Sequence, residues 1–95
     1  MTMKLPTNYT KLSSKGRAAA RAQYVREQNG LCWHCKAPLD EDPPKEITDK
    51  KLNWDLFPKN FMDNPIHLQH NHLNHQTEGA VHAYCNAVLW QYHGR

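Results

Sequence analysis

The chain lacks any long apolar run. No stretch of its 95 residues reaches the roughly 18 apolar residues that a membrane span requires. Its first ten residues, MTMKLPTNYT, also lack the apolar segment of a signal peptide. These absences predict a soluble protein that has no membrane partner and is located in the cytoplasm, where thiols stay reduced.

Cysteine is scarce, and the chain is short. The three cysteines are an odd number, and two of them lie only three positions apart, which argues against a disulfide framework. A chain of this length forms at most one domain, here residues 1–95, and buries little apolar surface. Such domains usually need a covalent or metal crosslink, and we therefore expect a bound metal ion.

Acidic residues are nearly missing from the first third of the chain. Residues 1–30 hold six lysine and arginine side chains against one glutamate, whereas the rest holds six against eight carboxylates. A basic segment of this kind suits a polyanionic partner such as DNA, although a solvated helix face is the plainer interpretation. The candidate DNA-binding residues in it are Lys15, Arg17 and Arg21.

Helix-capping residues, glycine and proline divide the first half of the chain into segments. Residues 1–12 are expected to form an irregular lead-in. A basic, alanine-rich helix is predicted over residues 14–29, with Ser13 or Ser14 as its N-cap and Gly30 ending it. Polar, proline-containing residues 40–51 indicate a surface loop.

The second half predicts a β-hairpin followed by a helix. Residues 52–65 are expected to form a loop with a short helical turn that fixes its aromatic side chains on the core. IHLQHNHL, which begins at Ile66, alternates as a strand does, so His67, His70 and His72 are expected to stand on one strand. NHQTEG is a turn, and AVHAY begins the returning strand. NAVLWQYH, which begins at Asn86, predicts a helix with Trp90 and Tyr92 in the core. The expected fold class is therefore small α+β.

Two pairs of metal-ligating residues have matching spacings. The C-x2-C and H-x2-C pairs are Cys32 and Cys35, and His82 and Cys85. Four nitrogen and sulfur ligands in two such pairs are typical of a closed, tetrahedral structural zinc site. His34 and His75 are alternatives for the fourth ligand. The plainer interpretation is a set of unpaired cysteines and a surface histidine.

Four short motifs follow one another in a specific order. They are CWHC at 32–35, HLQHNH at 67–72, GAV at 79–81 and HAYCN at 82–86. This order resembles the HNH, or His-Me finger, nucleases, and within them the phage recombination endonuclease VII group. The likeness covers residues 30–93, with 36–65 matching only as a spacer. It implies a ββα-metal finger over residues 66–93, held by the structural zinc. If a phage encodes the chain, its location is the host cytoplasm.

The resemblance also implies an activity and roles for individual residues. It implies a metal-dependent DNA endonuclease or nickase that leaves 5′-phosphate and 3′-hydroxyl ends. His70 corresponds to the general base, and His72 to a residue that contacts the phosphate or the leaving group. Asn86 corresponds to a ligand of the catalytic cation. Gln69 stands where the family has an aspartate ligand, and His82 replaces a cysteine.

Several alternatives stay open at this point. His72 and Asn71 would replace His70 and Gln69 as base and ligand in a shifted register. His67 is either a site residue or an exposed strand histidine, and Asn86 is either a ligand or a helix N-cap. Because amides and imidazoles replace a carboxylate, the cation could be Mg²⁺, Mn²⁺ or another transition metal. We expect a monomer, with a dimer as the alternative. The alternative function is a non-catalytic, zinc-stapled module that binds DNA or another partner.

Overall fold

The computed structural model of the chain describes residues 3–93. Its elements, in chain order, are a 3-10 turn at Tyr9–Lys11, helix α1 at Ser14–Glu27, the short helix α2 at Lys45–Thr48, a 3-10 turn at Trp54–Leu56, strands β1 at Ile66–His70 and β2 at Thr77–His82, and helix α3 at Ala83–His93. The two strands form an antiparallel sheet. The predicted small α+β class is thereby confirmed. Among the described residues, no helix has the length and apolar character needed to cross a membrane.

Helix α1 begins where its sequence predicts. The side-chain oxygen of Ser13 accepts a hydrogen bond from the backbone N–H of Gly16 at 3.1 Å, which is an N-cap interaction. The helix ends at Glu27, two residues before the predicted boundary. Asn29 and Gly30 both adopt left-handed backbone conformations, with φ of 57° and 75°, and such residues end a helix.

Helix α1 and Gln28, the residue that follows it, pack on the hairpin through three kinds of contact. Ala20 is fully buried. The Tyr24 hydroxyl lies 2.9 Å from the Thr77 hydroxyl. The carboxamide of Gln28 donates to the backbone carbonyl of Ala80 and accepts from its N–H, both at 2.9 Å. Gln28 therefore supplies β2 with a pair of hydrogen bonds of the kind that a neighbouring strand would make.

The lead-in is held against the hairpin. Residues 1 and 2 of the predicted lead-in lie outside the described residues. In the remainder, the N–H of Thr77 donates to the carbonyl of Thr7 at 2.9 Å, and the N–H of Tyr9 donates to the carbonyl of His75 at 2.8 Å. Residues 3–12 thus contain a 3-10 turn and strand-like contacts, and they are less irregular than expected.

The hairpin pairs in a defined register with one irregularity. Gln69 lies opposite Gly79 and His70 lies opposite Thr77, so Glu78 is the extra residue of a bulge. Strand β2 begins at Thr77, within the segment predicted to be a turn. His72 lies in the turn that follows β1, and the expectation that it stands on the strand was wrong.

Helix α3 begins earlier than predicted. It starts at Ala83, directly after β2, so Asn86 is its fourth residue and the N-cap interpretation was wrong. Trp90 and Tyr92 are 42% and 48% exposed, and their expected core positions were also wrong. Val88 on the same helix is fully buried.

The segment between the cysteine pair and the hairpin is partly ordered by short helices. Helix α2 lies inside the predicted surface loop because Ile47 is buried in the core, where it fixes one helical turn. The Tyr84 hydroxyl donates to the carbonyl of Thr48 at 3.0 Å, which joins α2 to α3. The predicted helical turn in residues 52–65 is confirmed at Trp54–Leu56.

Gly79 occupies a position with no room for a side chain. A Cβ atom there would lie 2.7 Å from Trp33 Cγ and 2.8 Å from Gln28 Oε1. The N–H of Trp33 also donates to the carbonyl of Ala80 at 2.9 Å. The turn that carries the first cysteine pair therefore sits directly on β2.

We predict that Tyr24→Phe lowers the free energy of unfolding by about 1 kcal/mol at pH 7, because it removes a buried hydrogen bond. Burial raises the pKa of Tyr24, so folding favours its neutral phenol. The stability that depends on this neutral phenol is fully present below the ordinary tyrosine pKa of about 10, and it is lost as the pH rises through the higher pKa of the folded protein.

Chemical denaturation at neutral and alkaline pH measures both effects. Tyr92→Phe is the matched control. It removes a solvent-exposed hydrogen bond to the carbonyl of Lys51, which water can replace, and should therefore change stability less. An equal loss in the two variants would contradict the role of the buried contact.

Candidate metal centre and histidine-lined cleft

The two predicted ligand pairs meet in space. One ligand atom from each of four residues lies within 4.8 Å of the others, and these residues are Cys32, Cys35, His82 and Cys85. His82 Nδ1 lies 3.4 Å from the Cys35 sulfur and 3.6 Å from the Cys85 sulfur. Tetrahedral zinc, with bonds of about 2.3 Å to sulfur and 2.0–2.1 Å to nitrogen, places these atoms about 3.5 Å apart. The Cys3His group could therefore bind zinc, and it contains neither His34 nor His75.

Two backbone carbonyl groups orient the imidazole of His82. Its Nε2 lies 2.8 Å from the carbonyl oxygen of Pro38 and 2.9 Å from that of Glu41. Carbonyl oxygens only accept hydrogen bonds, so Nε2 carries the proton and the Nδ1 lone pair faces the sulfurs. Histidine ligands of metals are commonly fixed in this way.

A tight turn brings the first cysteine pair together. The N–H of Lys36 donates to the carbonyl of Cys32 at 3.0 Å, and Lys36 adopts a left-handed conformation with φ of 68°. The backbone N–H groups of His34 and Cys35 lie 3.4 and 3.5 Å from the Cys32 sulfur. Two backbone donors thus point at one thiol sulfur.

The three thiols differ in acidity because they share a small buried space. A hydrogen bond from Cys85 and the surrounding backbone N–H groups lower the pKa of Cys32 to about 4. The same hydrogen bond, together with burial, raises the pKa of Cys85, and burial raises the pKa of Cys35. The protein alone thus favours one thiolate, and a bound divalent cation would favour deprotonation of all three.

A separate cleft of about 610 Å³ lies beside β1. The residues predicted for catalysis or DNA binding that line it are Arg17, Arg21, Gln69, His70, His72 and Asn86. His67 lines it as well, and Lys15 does not. The structure therefore gathers side chains from α1, β1, the hairpin turn and α3 around one space.

His70 lies in a stack of planar groups. Its ring is parallel to that of Tyr9, with centroids 3.8 Å apart, and it stacks on His72 at 4.5 Å. The Arg17 guanidinium lies 4.0 Å from the centroid of the Tyr9 ring. Burial lowers the pKa of His70 to about 4, assisted by the nearby positive charges of His72, His75 and Arg17. The His70 imidazole is therefore neutral at pH 7.

Asn86 contacts His67. Its Nδ2 lies 2.9 Å from His67 Nδ1, which joins α3 to β1 at the floor of the cleft. Phe61 packs its edge against the His67 ring, with centroids 4.7 Å apart. Burial lowers the pKa of His67. Because an amide nitrogen only donates, Asn86 Nδ2 is the donor and His67 Nδ1 the acceptor of this hydrogen bond.

Gln69 is buried and engaged. Its side chain is 1% exposed, and its Nε2 donates to the carbonyl of His70 at 2.9 Å and to the carboxylate of Glu78 at 3.4 Å. Asn71 stabilises the turn instead, because its Oδ1 accepts hydrogen bonds from the N–H groups of Leu73 and Asn74. The shifted register, with Asn71 as a ligand, is therefore not favoured by the geometry.

Sequence reasoning missed three residues of this site. Tyr9 covers His70, Phe61 contacts His67, and the bulge carboxylate of Glu78 contacts Gln69. Tyr9 reaches His70 through the long-range pairing of the lead-in with the hairpin, which leaves no local pattern in the sequence. The only signal for Phe61 was its place in the aromatic segment that was assigned to the core.

Comparisons of the chain with protein-family models, with curated proteins and with solved structures found no match.

We predict that the purified protein carries one equivalent of zinc and that Cys35→Ala loses both the metal and the fold. Structural zinc in small domains contributes on the order of 10 kcal/mol, which is comparable with the whole stability of a domain. Elemental analysis and near-ultraviolet circular dichroism measure the two losses. His75→Asn, outside the Cys3His group, should keep both, and a folded, zinc-free Cys35→Ala protein would contradict the prediction.

We also predict that the imidazole signals of His70 stay nearly unchanged in an NMR titration from pH 7.5 to about 5.5. A solvated imidazole with a pKa of about 6.5 gains most of its proton over this range. Tyr9→Leu, which removes the covering ring, should move the midpoint upward. A midpoint near the solvated value in the unmodified protein would show that the stack does not bury His70.

Proposed function

We propose that the chain is a metal-dependent DNA endonuclease or nickase of the HNH type, built on a ββα-metal finger that β1, β2 and α3 provide. The observation that carries this proposal is the cleft itself. It gathers a neutral histidine, an asparagine–histidine pair and two arginines within about 610 Å³. These are groups suited to proton transfer, cation binding and phosphate binding.

His70 acts as the general base in this proposal. Its imidazole is unprotonated at pH 7 and can accept a proton from the water molecule that attacks the phosphodiester phosphorus, and its pKa of about 4 makes it a weaker base than a solvated histidine. Arg17 and Arg21 bind the phosphates of the DNA strand, and their contribution is sensitive to salt. His72, stacked on His70 and exposed, is placed to contact the phosphate or the leaving group. The products are 5′-phosphate and 3′-hydroxyl ends.

A divalent cation, when bound, supplies charge that stabilises the developing negative charge on the phosphate and the departing 3′ oxygen. Asn86 would hold it together with Gln69, as the resemblance implies, or with His67, whose side chain it contacts. Amide and imidazole ligands suit Mn²⁺, Co²⁺ or Ni²⁺ better than Mg²⁺. We therefore expect transition metals to support the activity best.

The Cys3His group has a structural role in this proposal. His82 ends β2, Cys85 lies in the first turn of α3, and Asn86 follows Cys85 directly. His82 and Cys85 would hold the zinc ion together with Cys32 and Cys35, and the ion would fix the angle at which α3 leaves the sheet. The position of Asn86 relative to His67 would be fixed in the same way.

A second candidate function is a non-catalytic, zinc-stapled DNA-binding module. The observation that favours it is the chemistry of the lining, because none of the described residues around the cleft is acidic. The carboxylate nearest to Gln69, that of Glu78, does not line the cleft and accepts a hydrogen bond from Gln69 instead. Such a module would bind DNA phosphates through Arg17 and Arg21 and would not bind a catalytic cation.

We predict that the protein nicks supercoiled plasmid DNA in the presence of Mn²⁺, Co²⁺ or Ni²⁺, and more slowly with Mg²⁺. His70→Ala should slow nicking about 100-fold or more, the usual contribution of a general base. His75→Asn is the matched control, since His75 lies between β1 and β2, close to His70 in the chain, and does not line the cleft. Gel separation of supercoiled and open circular plasmid measures the rate.

The outcomes separate the two functions. Absence of nicking with every metal, or equal nicking by His70→Ala, would overturn the nuclease proposal. Salt-sensitive DNA binding that weakens in Arg17→Ala and Arg21→Ala would then support the non-catalytic module.

A further inference from the structure

The lining of the cleft has a basic part and an aromatic part. Arg17 and Arg21 belong to α1. Phe57 and Phe61 belong to the segment before the hairpin, and Trp90 belongs to α3. No acidic residue lines the described part of the cleft. The space is therefore complementary to a ligand that carries both negative charge and flat apolar surface.

The aromatic part is an ordered cluster that is still accessible. Phe57 contacts Phe61 with centroids 4.8 Å apart and Trp90 at 5.4 Å. Trp90 is 42% exposed and Leu56, which also lines the cleft, is 50% exposed. Exposed apolar side chains that cluster in this way mark binding surfaces. The cluster is held in place by its own contacts, so little order needs to be gained when a ligand binds.

The basic part is also held in place. The Arg17 side chain donates to the carbonyl oxygen of Tyr9 through Nε at 3.4 Å and through Nη2 at 3.3 Å. A guanidinium has five N–H donors, so the remaining ones are available to a phosphate. Arg21 lies one helical turn further along α1 and also lines the cleft.

We propose that the cleft takes an unpaired nucleotide of a single-stranded nucleic acid, with its base stacked on the Phe57–Phe61–Trp90 cluster and its phosphates on Arg17 and Arg21. Base faces in a duplex are covered by their neighbours, so a duplex would leave the aromatic cluster without a partner. An apolar peptide would leave the arginines without an anion. Unpaired bases on aromatic side chains beside cationic groups are the usual mode of single-strand binding. This inference rests on the proposed function, because it names the substrate of the same cleft.

Fluorescence anisotropy with labelled oligonucleotides of about 16 nucleotides tests the inference, without added divalent cation and at fixed salt. The probes are single-stranded DNA, single-stranded RNA and duplex DNA of the same sequence. A single strand should bind roughly tenfold or more tightly than the duplex, and Trp90→Leu should weaken that binding by about tenfold. The DNA and RNA probes show which strand the cleft prefers.

Trp54→Leu is the matched control. Trp54 is 46% exposed and contacts Phe57 at 5.9 Å, but it does not line the cleft. The control variant should bind single strands as the unmodified protein does. In the Trp54→Leu variant, the tryptophan fluorescence comes from Trp33 and Trp90. A single strand should quench this fluorescence, whereas the duplex should not. This measurement tests the stacking with Trp90 in place.

Equal affinity for single strand and duplex, or equal weakening by the two tryptophan substitutions, would overturn the inference. Self-association that Trp90→Leu abolishes, with unchanged single-strand binding, would identify a second copy of the chain as the occupant and would also overturn it. Trp90-dependent single-strand binding without any nicking overturns the nuclease proposal alone. Plasmid nicking without a preference for single strands overturns this inference alone.

Discussion

The meeting of Cys32 and Cys35 with His82 and Cys85 is the constraint on which the rest of the structure depends. Residues 36–81 separate the two pairs, so their contact closes a long loop in a chain with a small core. It holds the cysteine turn against the junction between β2 and α3. The fully buried side chains of Val81 and Val88 flank this junction, so the metal-ligand group and the apolar core are one unit.

The parts of the fold that the sequence predicted correctly are those that local chemistry decides. Ser13 caps α1 because a side-chain oxygen needs only the N–H of a residue three positions later. The x2 spacing of each ligand pair is likewise local. The start of α3 was predicted three residues too late, because AVHAY has the alternation of a strand, whereas its last residues form the first helical turn. Tyr92 was assigned to the core from helical periodicity, which shows the face of a helix that a residue occupies and not whether another element covers it.

The sequence named four residues that lie together in the candidate site, but it did not predict the contacts that these residues make. Gln69, His70, His72 and Asn86 do line one cleft. The bulge at Glu78 and the contact between His67 and Asn86 depend on the register of two strands and the direction of a helix, which no short pattern encodes. Tyr9 joins the site only because the lead-in pairs with the hairpin turn. That pairing brings the ring of Tyr9 onto that of His70, so the environment of His70 is set by residues from both halves of the sequence.

The tight contact at Gly79 links segments that are far apart in the chain. A Cβ at this position would meet the Cβ and Cγ atoms of Trp33 and the carboxamide oxygen of Gln28, so a smaller side chain at 33 alone would not make room for a side chain at 79. The hairpin, the cysteine turn and the residue that follows α1 are therefore constrained together at this one position. Among descendants of this chain, glycine should be retained at 79 for as long as these three segments pack on one another.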